Sequence, residues 1–286
     1  MNTWVKYTDD FNKAYPDTEI TLLSVLSKRF KEETVVQMLI AAKKVPSTEN
    51  LAVKIQAEQA KLWLSKGKTP AEVLALLHLG KQENSLFSNP LFTAWIEYTD
   101  EYNKIYFGTR NTAIPALKAY YNDDVLAKMI LAAKKNPSTS SLSKRMYDEL
   151  VRSWSTNKLA PQLVFSVLNL HKTGDRVLEQ PLFSVWLRYL VAYSDANPRA
   201  KVTLLSQLSN IYGGNRLSKL LISAEKVPST KRLASDLLST QLQGWLTTKK
   251  DPVEVFFLLG VQGTAKNSVP NVLYRNYNAA FKQLKK

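Results

Sequence analysis

The sequence contains no cysteine, which excludes disulfide bonds and thiolate metal sites and allows a reducing compartment. No apolar run approaches the roughly 18 residues of a membrane span, and the opening MNTWVKYTDD has neither the basic start nor the apolar centre of a signal peptide. Only nine of the 286 residues are glycine, and apolar residues recur at intervals of three and four. These features predict helices throughout and no membrane span.

A six-residue motif returns twice at a constant interval. It reads KKVPST at 43–48, KKNPST at 134–139 and EKVPST at 225–230, so its prolines lie 91 residues apart. The same interval separates two series of aromatic residues: Trp63, Trp154 and Trp245, and also Trp4, Trp95, Trp186 and Tyr277. No motif of one half of the 91-residue block recurs in the other half. The whole block is therefore the unit, and not a pair of HEAT or armadillo repeats.

The spacing of apolar residues in each block predicts about five helices. Apolar faces follow one another along the first block, for example Leu22, Leu23, Leu26 and Phe30, then Val35, Val36, Leu39 and Ile40. The recurrent motif is typical of a joint between two helices, because Lys43 and Lys44 suit a last helical turn and Pro46 ends it. We expect Ser47 and Thr48 to cap the next helix. The predicted fold is a rod-like all-α tandem array with a 91-residue period.

The order of motifs resembles a known family. A leucine-rich helix pair (LLSVLSKRFKEETVVQMLIAAKK) precedes a tryptophan helix followed by a proline (WLSKGKTPAEVLALLHL) and a tyrosine helix (NPLFTAWIEYTDEYN), and matching segments return in the later blocks. This order resembles the LWY tandem repeat of oomycete (Phytophthora) RXLR effectors. Within that family, the chain is similar to the effectors that suppress RNA silencing. The resemblance covers essentially the whole chain.

The resemblance assigns signature positions. It implies that Trp63, Trp154 and Trp245 are the tryptophan positions and that Tyr98 and Tyr189 are the tyrosine positions, with Trp95 and Trp186 on the neighbouring aromatic series. The third block has Ala280 at the tyrosine position, so the signature is lost there. Because the rings recur at helical spacing, we expect them to be buried core anchors. No residue that binds a partner is identified.

The period also divides the chain. Residue 1 corresponds to residue 92, so we expect 1–16 to be the end of a tyrosine helix from a preceding, truncated unit. Units at 17–107 and 108–198 follow, and 199–286 is a terminal unit with a degenerate tyrosine motif. On this interpretation the natural protein extends upstream, where a secretion signal and an RXLR segment would lie.

Catalytic and metal-binding patterns are absent from the sequence. His78 and His171 are 93 residues apart and so occupy inequivalent positions, and there is no cysteine to act as a nucleophile. The acidic pairs at 32–33 and 123–124 fall in a predicted first helical turn, where the helix dipole favours them. YGGN at 212–215 is typical of a turn between helices. We expect no enzyme activity, no metal and no cofactor.

The charge of +15 is concentrated near the end of the chain. Residues 1–94 carry a net +2, residues 95–185 a net +3 and residues 186–286 a net +10. A nucleic-acid binder would combine such charge with aromatic residues that face the ligand, whereas the aromatic residues here occupy core positions. RNA binding is therefore disfavoured, although it stays an alternative.

The resemblance implies a function in interaction. Family members are secreted by the pathogen, enter plant cells, bind host proteins in the cytoplasm or nucleus and suppress immunity. Some hold the scaffold subunit of protein phosphatase 2A as a regulatory subunit would, which makes this subunit a candidate partner of a monomeric chain. The alternatives are an RNA-binding silencing suppressor and a helical repeat scaffold that is not an effector. Because no residue is inserted between blocks, we expect a partner to need two adjoining units.

Overall fold

A computed structural model describes residues 2–15, 20–83, 85–106 and 112–284, and these residues form helices and no β-strand. After α1 (Asn2–Ala14), the helices are α2 (Leu22–Arg29), α3 (Glu32–Lys43), α4 (Glu49–Ser65), α5 (Pro70–Leu76) and α6 (Pro90–Ile105) in the first block; α7 (Ala113–Lys118), α8 (Asp123–Ala133), α9 (Pro137–Thr156), α10 (Pro161–Val167) and α11 (Pro181–Ala196) in the second; and α12 (Leu204–Tyr212), α13 (Gly214–Ala224), α14 (Lys231–Thr247), α15 (Pro252–Leu258) and α16 (Val269–Gln283) in the third. Helices α5, α10 and α15 begin 91 residues apart and so do α3, α8 and α13. The predicted all-α repeat of about five helices is confirmed.

The chain divides into two compact units, Met1–Ser153 and Trp154–Lys286. Their boundary falls within α9, so the second sequence block is divided between the two units. The block limits of 17–107, 108–198 and 199–286 describe the periodicity of the sequence and stay a prediction. The transitions at 16–17 and 107–108, and the Trp4 side chain, lie outside the described residues.

The threonine of the recurrent motif bonds to the helix before it. Thr48 is the N-cap residue of α4 but makes no side-chain cap bond to that helix. Its hydroxyl instead donates to the Ala42 carbonyl in the last turn of α3, which also accepts from the Val45 N–H just beyond that helix. The same bond recurs in every block: Thr48 to Ala42 at 2.8 Å, Thr139 to Ala133 at 2.7 Å and Thr230 to Ala224 at 2.7 Å. Thr48 therefore occupies the predicted N-cap position, but the prediction that its side chain caps the following helix is wrong.

The tryptophan and tyrosine signature positions meet in the cores of the first two blocks. The ring centroids of Trp63 and Tyr98 are 5.3 Å apart with the planes at 89°, and those of Trp154 and Tyr189 are 5.6 Å apart at 80°. All four rings are buried. Edge-to-face ring pairs add to the stabilisation that burial provides, so these residues act as core anchors.

Aromatic side chains on the tyrosine helices, α6 and α11, also form hydrogen bonds with the backbone at the starts of α5 and α10. Tyr98 and Tyr189 donate their hydroxyl protons to the carbonyls of Lys68 and Leu159. The Trp95 indole donates to the Pro70 carbonyl at 2.7 Å, and in the second block Trp186 donates to the Pro161 carbonyl at 2.8 Å. Each buried polar atom of these rings therefore has a partner.

The third block keeps this hydrogen bond but makes it from a different residue. Ala280 provides no ring, and Trp245 is half-buried rather than buried as expected. Tyr277, about one helical turn before Ala280, is buried and donates to the Lys250 carbonyl at 2.6 Å. Lys250 corresponds by the 91-residue period to Lys68. The ring of the signature is lost in this block, whereas its hydrogen bond is retained.

Candidate interaction surface

The first unit contains the contact between the first and second blocks, called here the first joint. Tyr121 precedes α8 and is buried. Its hydroxyl donates to the Leu79 carbonyl at 3.1 Å and accepts from the Gln82 N–H at 3.0 Å. One side chain thus satisfies two backbone groups of the preceding block. Phe30, the corresponding residue of the first block and the last residue of the predicted apolar face, follows α2 as its C-cap residue and is 43% exposed.

An arginine makes a second link across the first joint. The Arg145 guanidinium on α9 binds both carboxylate oxygens of Asp100 on α6, and its Nε donates to Glu149 Oε1 at 3.1 Å. The hydrogen bonds to Asp100 are the largest cause of a pKa of Arg145 above its usual value. A bidentate pair of this kind has a restricted geometry, so it fixes how α6 and α9 lie against each other.

A groove of about 500 Å³ opens at the first joint. The first block contributes Glu83 and Phe87, and the second block contributes Val125, Lys128 and Met129 from α8. Phe87 and Met129 are buried and form an apolar base, whereas Glu83 and Lys128 supply charges. The groove is within the usual size range of binding sites, and it exists only because two blocks adjoin.

The second unit contains the corresponding contact between the second and third blocks, the second joint. Tyr212 takes the place of Tyr121, but its hydroxyl oxygen is buried without a hydrogen-bond partner among the described residues. The carbonyl of Leu170, which corresponds to Leu79, instead accepts from the Thr173 hydroxyl at 2.7 Å. The substitution of threonine for Gln82 therefore supplies a competing donor.

The second joint also presents a different surface. Arg216 occupies the position of Val125, and its guanidinium carbon lies 5.4 Å from the centroid of the Tyr212 ring. Its Nε is 3.8 Å from Asp175 Oδ1. Gln162 donates to Gln207 at 2.5 Å. The first joint thus has a partly apolar groove lined by Val125, whereas the second joint has the cationic side chain of Arg216 at the corresponding position.

Stability should fall at alkaline pH because buried tyrosines ionise on unfolding. Burial raises the pKa of Tyr189 and of Tyr212 to about 12, against about 10 in an unfolded chain. Their contribution is complete below pH ~10 and is lost as the pH rises towards ~12. We expect the thermal midpoint to fall over this window, less steeply in Tyr212→Phe. Thermal melts in a pH series measure this; an equally steep fall in the variant would contradict it.

The residues considered for catalysis do not form a site. His78 Nε2 lies 3.8 Å from Glu33 Oε2, and the His78 side chain is 73% exposed. His171 is also exposed. The acidic pairs occupy the first turns of α3 and α8, as predicted, and Glu32 accepts a hydrogen bond from the Trp63 indole at 3.1 Å. Among the described residues no three metal-ligating side chains form a cluster, and no helix is both long and apolar enough to cross a bilayer.

A family model described as the WY-domain of effector PexRD54 matches residues 58–99 and 149–190. The two matches are themselves 91 residues apart, and each runs from before the tryptophan position to just after the tyrosine position. The match therefore coincides with the part of the block that contains the aromatic core.

The chain is also similar to individual effector proteins. The chain is 40% identical over 285 residues to the RxLR effector protein PSR2 of Phytophthora sojae and 36% identical over 276 residues to PSR2 of Phytophthora infestans. It spans only 42% and 36% of the lengths of those proteins. The crystal structure of PcRxLR12 matches with a TM-score of 0.74 at 30% identity, over 100% of this chain and 70% of that one. The chain belongs to the RxLR effector proteins with tandem WY-type repeats.

Proposed function

We propose that the protein is secreted by a pathogen and acts in the cytoplasm or nucleus of plant cells as a monomeric interaction scaffold that suppresses immunity. Its partner is the scaffold subunit of protein phosphatase 2A, which it binds as a regulatory subunit would and whose core enzyme it redirects. The partner contacts the groove at the first joint. The whole protein performs no chemistry of its own and needs no cofactor.

The observation that supports this proposal is the first joint itself. Two hydrogen bonds of Tyr121 and the bidentate pair of Arg145 with Asp100 fix two blocks beside one groove. A surface that is already ordered loses little conformational entropy on binding. A buried apolar base with a charged rim is also the usual composition of the centre and edge of an interface.

RNA binding is the second candidate function. The excess charge of residues 186–286 and the half-buried Trp245 favour it. Against it, Arg216 already lies over a tyrosine ring of the same chain, and Tyr189 and Tyr277 are buried. A salt-dependent affinity for single-stranded RNA at physiological ionic strength would support this alternative.

The groove proposal is tested by placing an arginine in it. In Val125→Arg the first joint receives the residue that the second joint carries at Arg216, so the side chain is compatible with the fold. We expect the affinity of the full chain for the purified phosphatase scaffold subunit to fall at least about tenfold. Isothermal calorimetry measures the affinity, and Val45→Arg, an equal change at an exposed valine outside the groove, is the control.

Equal affinities of the wild type and Val125→Arg would refute the groove as the contact. No affinity of the wild type for the subunit would refute this partner and leave the membership of the effector family unaffected.

A further inference from the structure

A second groove, called here the α4–α6 groove, lies within the first block and measures about 430 Å³. Helices α3, α4 and α6 line it, and it is separate from the groove at the first joint. Val53, at its wall, is 47% exposed. The apolar lining consists of Val36, Val53, Ala57, Ala60, Trp63 and Ala94.

Two lining positions of the groove, Ala60 and Ala94, have small side chains in the first block. Ala60 corresponds to Val151 in the second block and Leu242 in the third. Ala94 corresponds to Val185, which is buried, as Val151 is. In the second block, valine side chains fill these two positions. In the first block, alanine leaves space there that aliphatic side chains of another protein could fill.

The α6 wall of the groove is acidic. Asp100 is paired with Arg145 and Glu101 with Lys104 at 2.5 Å, whereas no ion pair reaches Glu97 within the described part of the chain. Among the described residues Glu97 accepts a long hydrogen bond from Gln56, at 3.5 Å, and Lys43 Nζ donates to the same Gln56 side chain at 2.9 Å. The second block has an arginine, Arg188, at this position. The acidic wall is therefore specific to the first block, and Glu97 is available to a cation.

We propose that the α4–α6 groove binds an amphipathic helix of a partner protein, whose valine- or leucine-sized side chains fill the alanine-lined part and whose lysine or arginine pairs with Glu97. Helices that lay an apolar face into a hydrophobic groove are a recurrent mode of peptide recognition. The charge of Glu97 selects a basic helix, and Trp63 and Val36 provide a rigid floor because both are almost completely buried. This site is independent of phosphatase binding at the first joint.

The test fills the groove with the residues of the second block. The probe is a fluorescein-labelled helical peptide of leucine and lysine with leucines on one face, and its anisotropy is followed as the full chain is added. We expect saturable binding to the wild type and at least a tenfold loss of affinity in the Ala60→Val/Ala94→Val variant. Ala75→Val, at an exposed alanine outside the groove, should bind as the wild type does.

Charge provides the second arm of the experiment. Glu97→Arg should weaken binding of the leucine–lysine peptide, and a leucine–glutamate peptide should bind the wild type more weakly. Non-specific attraction to a chain of net charge +15 would give the opposite preference. Undiminished binding to the double valine variant, or a preference for the acidic peptide, would overturn the proposal. Thermal melts distinguish a filled groove, which keeps or raises the midpoint, from a damaged fold.

Discussion

Trp154→Ala should lower the free energy of unfolding by about 3–5 kcal/mol, the usual cost of removing a large buried ring. The Trp154 ring is fully buried and makes an edge-to-face contact with Tyr189, with the ring centroids 5.6 Å apart. Alanine forfeits the apolar burial and the ring contact and leaves a cavity, because the surrounding core relaxes only in part. Thermal denaturation followed by circular dichroism should show the midpoint lowered by on the order of 10 °C.

Trp245→Ala is the matched control, since it removes the same ring from the corresponding position. Trp245 is only half-buried and has Ala280 where Trp154 has a tyrosine. Less apolar area returns to water, so we expect about half the loss of stability or less. Equal losses in the two variants would show that ring burial does not determine the contribution of this position.

The helical repeat could be predicted from the sequence because each core position occurs at a fixed interval. The 91-residue period fixes which residues are equivalent, and proline at the starts of α5, α10 and α15 marks corresponding helix ends. The period does not predict which neighbouring group a polar side chain forms its hydrogen bond with. Thr48 stands where an N-cap residue is expected, yet its hydroxyl bonds backwards to Ala42, a choice that depends on how the chain turns at Pro46.

The third block shows the same limit of sequence reasoning. Comparison by position pairs Ala280 with Tyr98 and concludes that the signature is lost. The hydroxyl of Tyr277 nevertheless reaches the Lys250 carbonyl from the preceding turn of α16. A hydrogen bond requires only that a donor lie close to the acceptor. A residue at a different sequence position can therefore provide the donor. The grooves were equally hidden: the α4–α6 groove depends on small side chains at two positions, and the groove at the first joint depends on how two blocks adjoin.

The two joints differ in one pair of residues that the sequence presents as equivalent. Tyr121 and Tyr212 are 91 residues apart and both precede the second helix of their block. The Tyr121 hydroxyl makes two hydrogen bonds to the preceding block, whereas that of Tyr212 is buried without a partner among the described residues. Removing the two hydroxyl groups should therefore have unequal effects.

Tyr121→Phe should cost about 2–4 kcal/mol, because the Leu79 carbonyl and the Gln82 N–H each lose a buried partner, at about 1–3 kcal/mol for each unsatisfied group. Tyr212→Phe should change stability by less than about 0.5 kcal/mol or raise it, since the hydroxyl it removes is desolvated without compensation. Chemical denaturation of both variants and the wild type at pH 7 measures the difference. If Tyr212→Phe cost as much as Tyr121→Phe, the hydroxyl of Tyr212 would have to be bonded in solution, and the two joints would be held together in the same way.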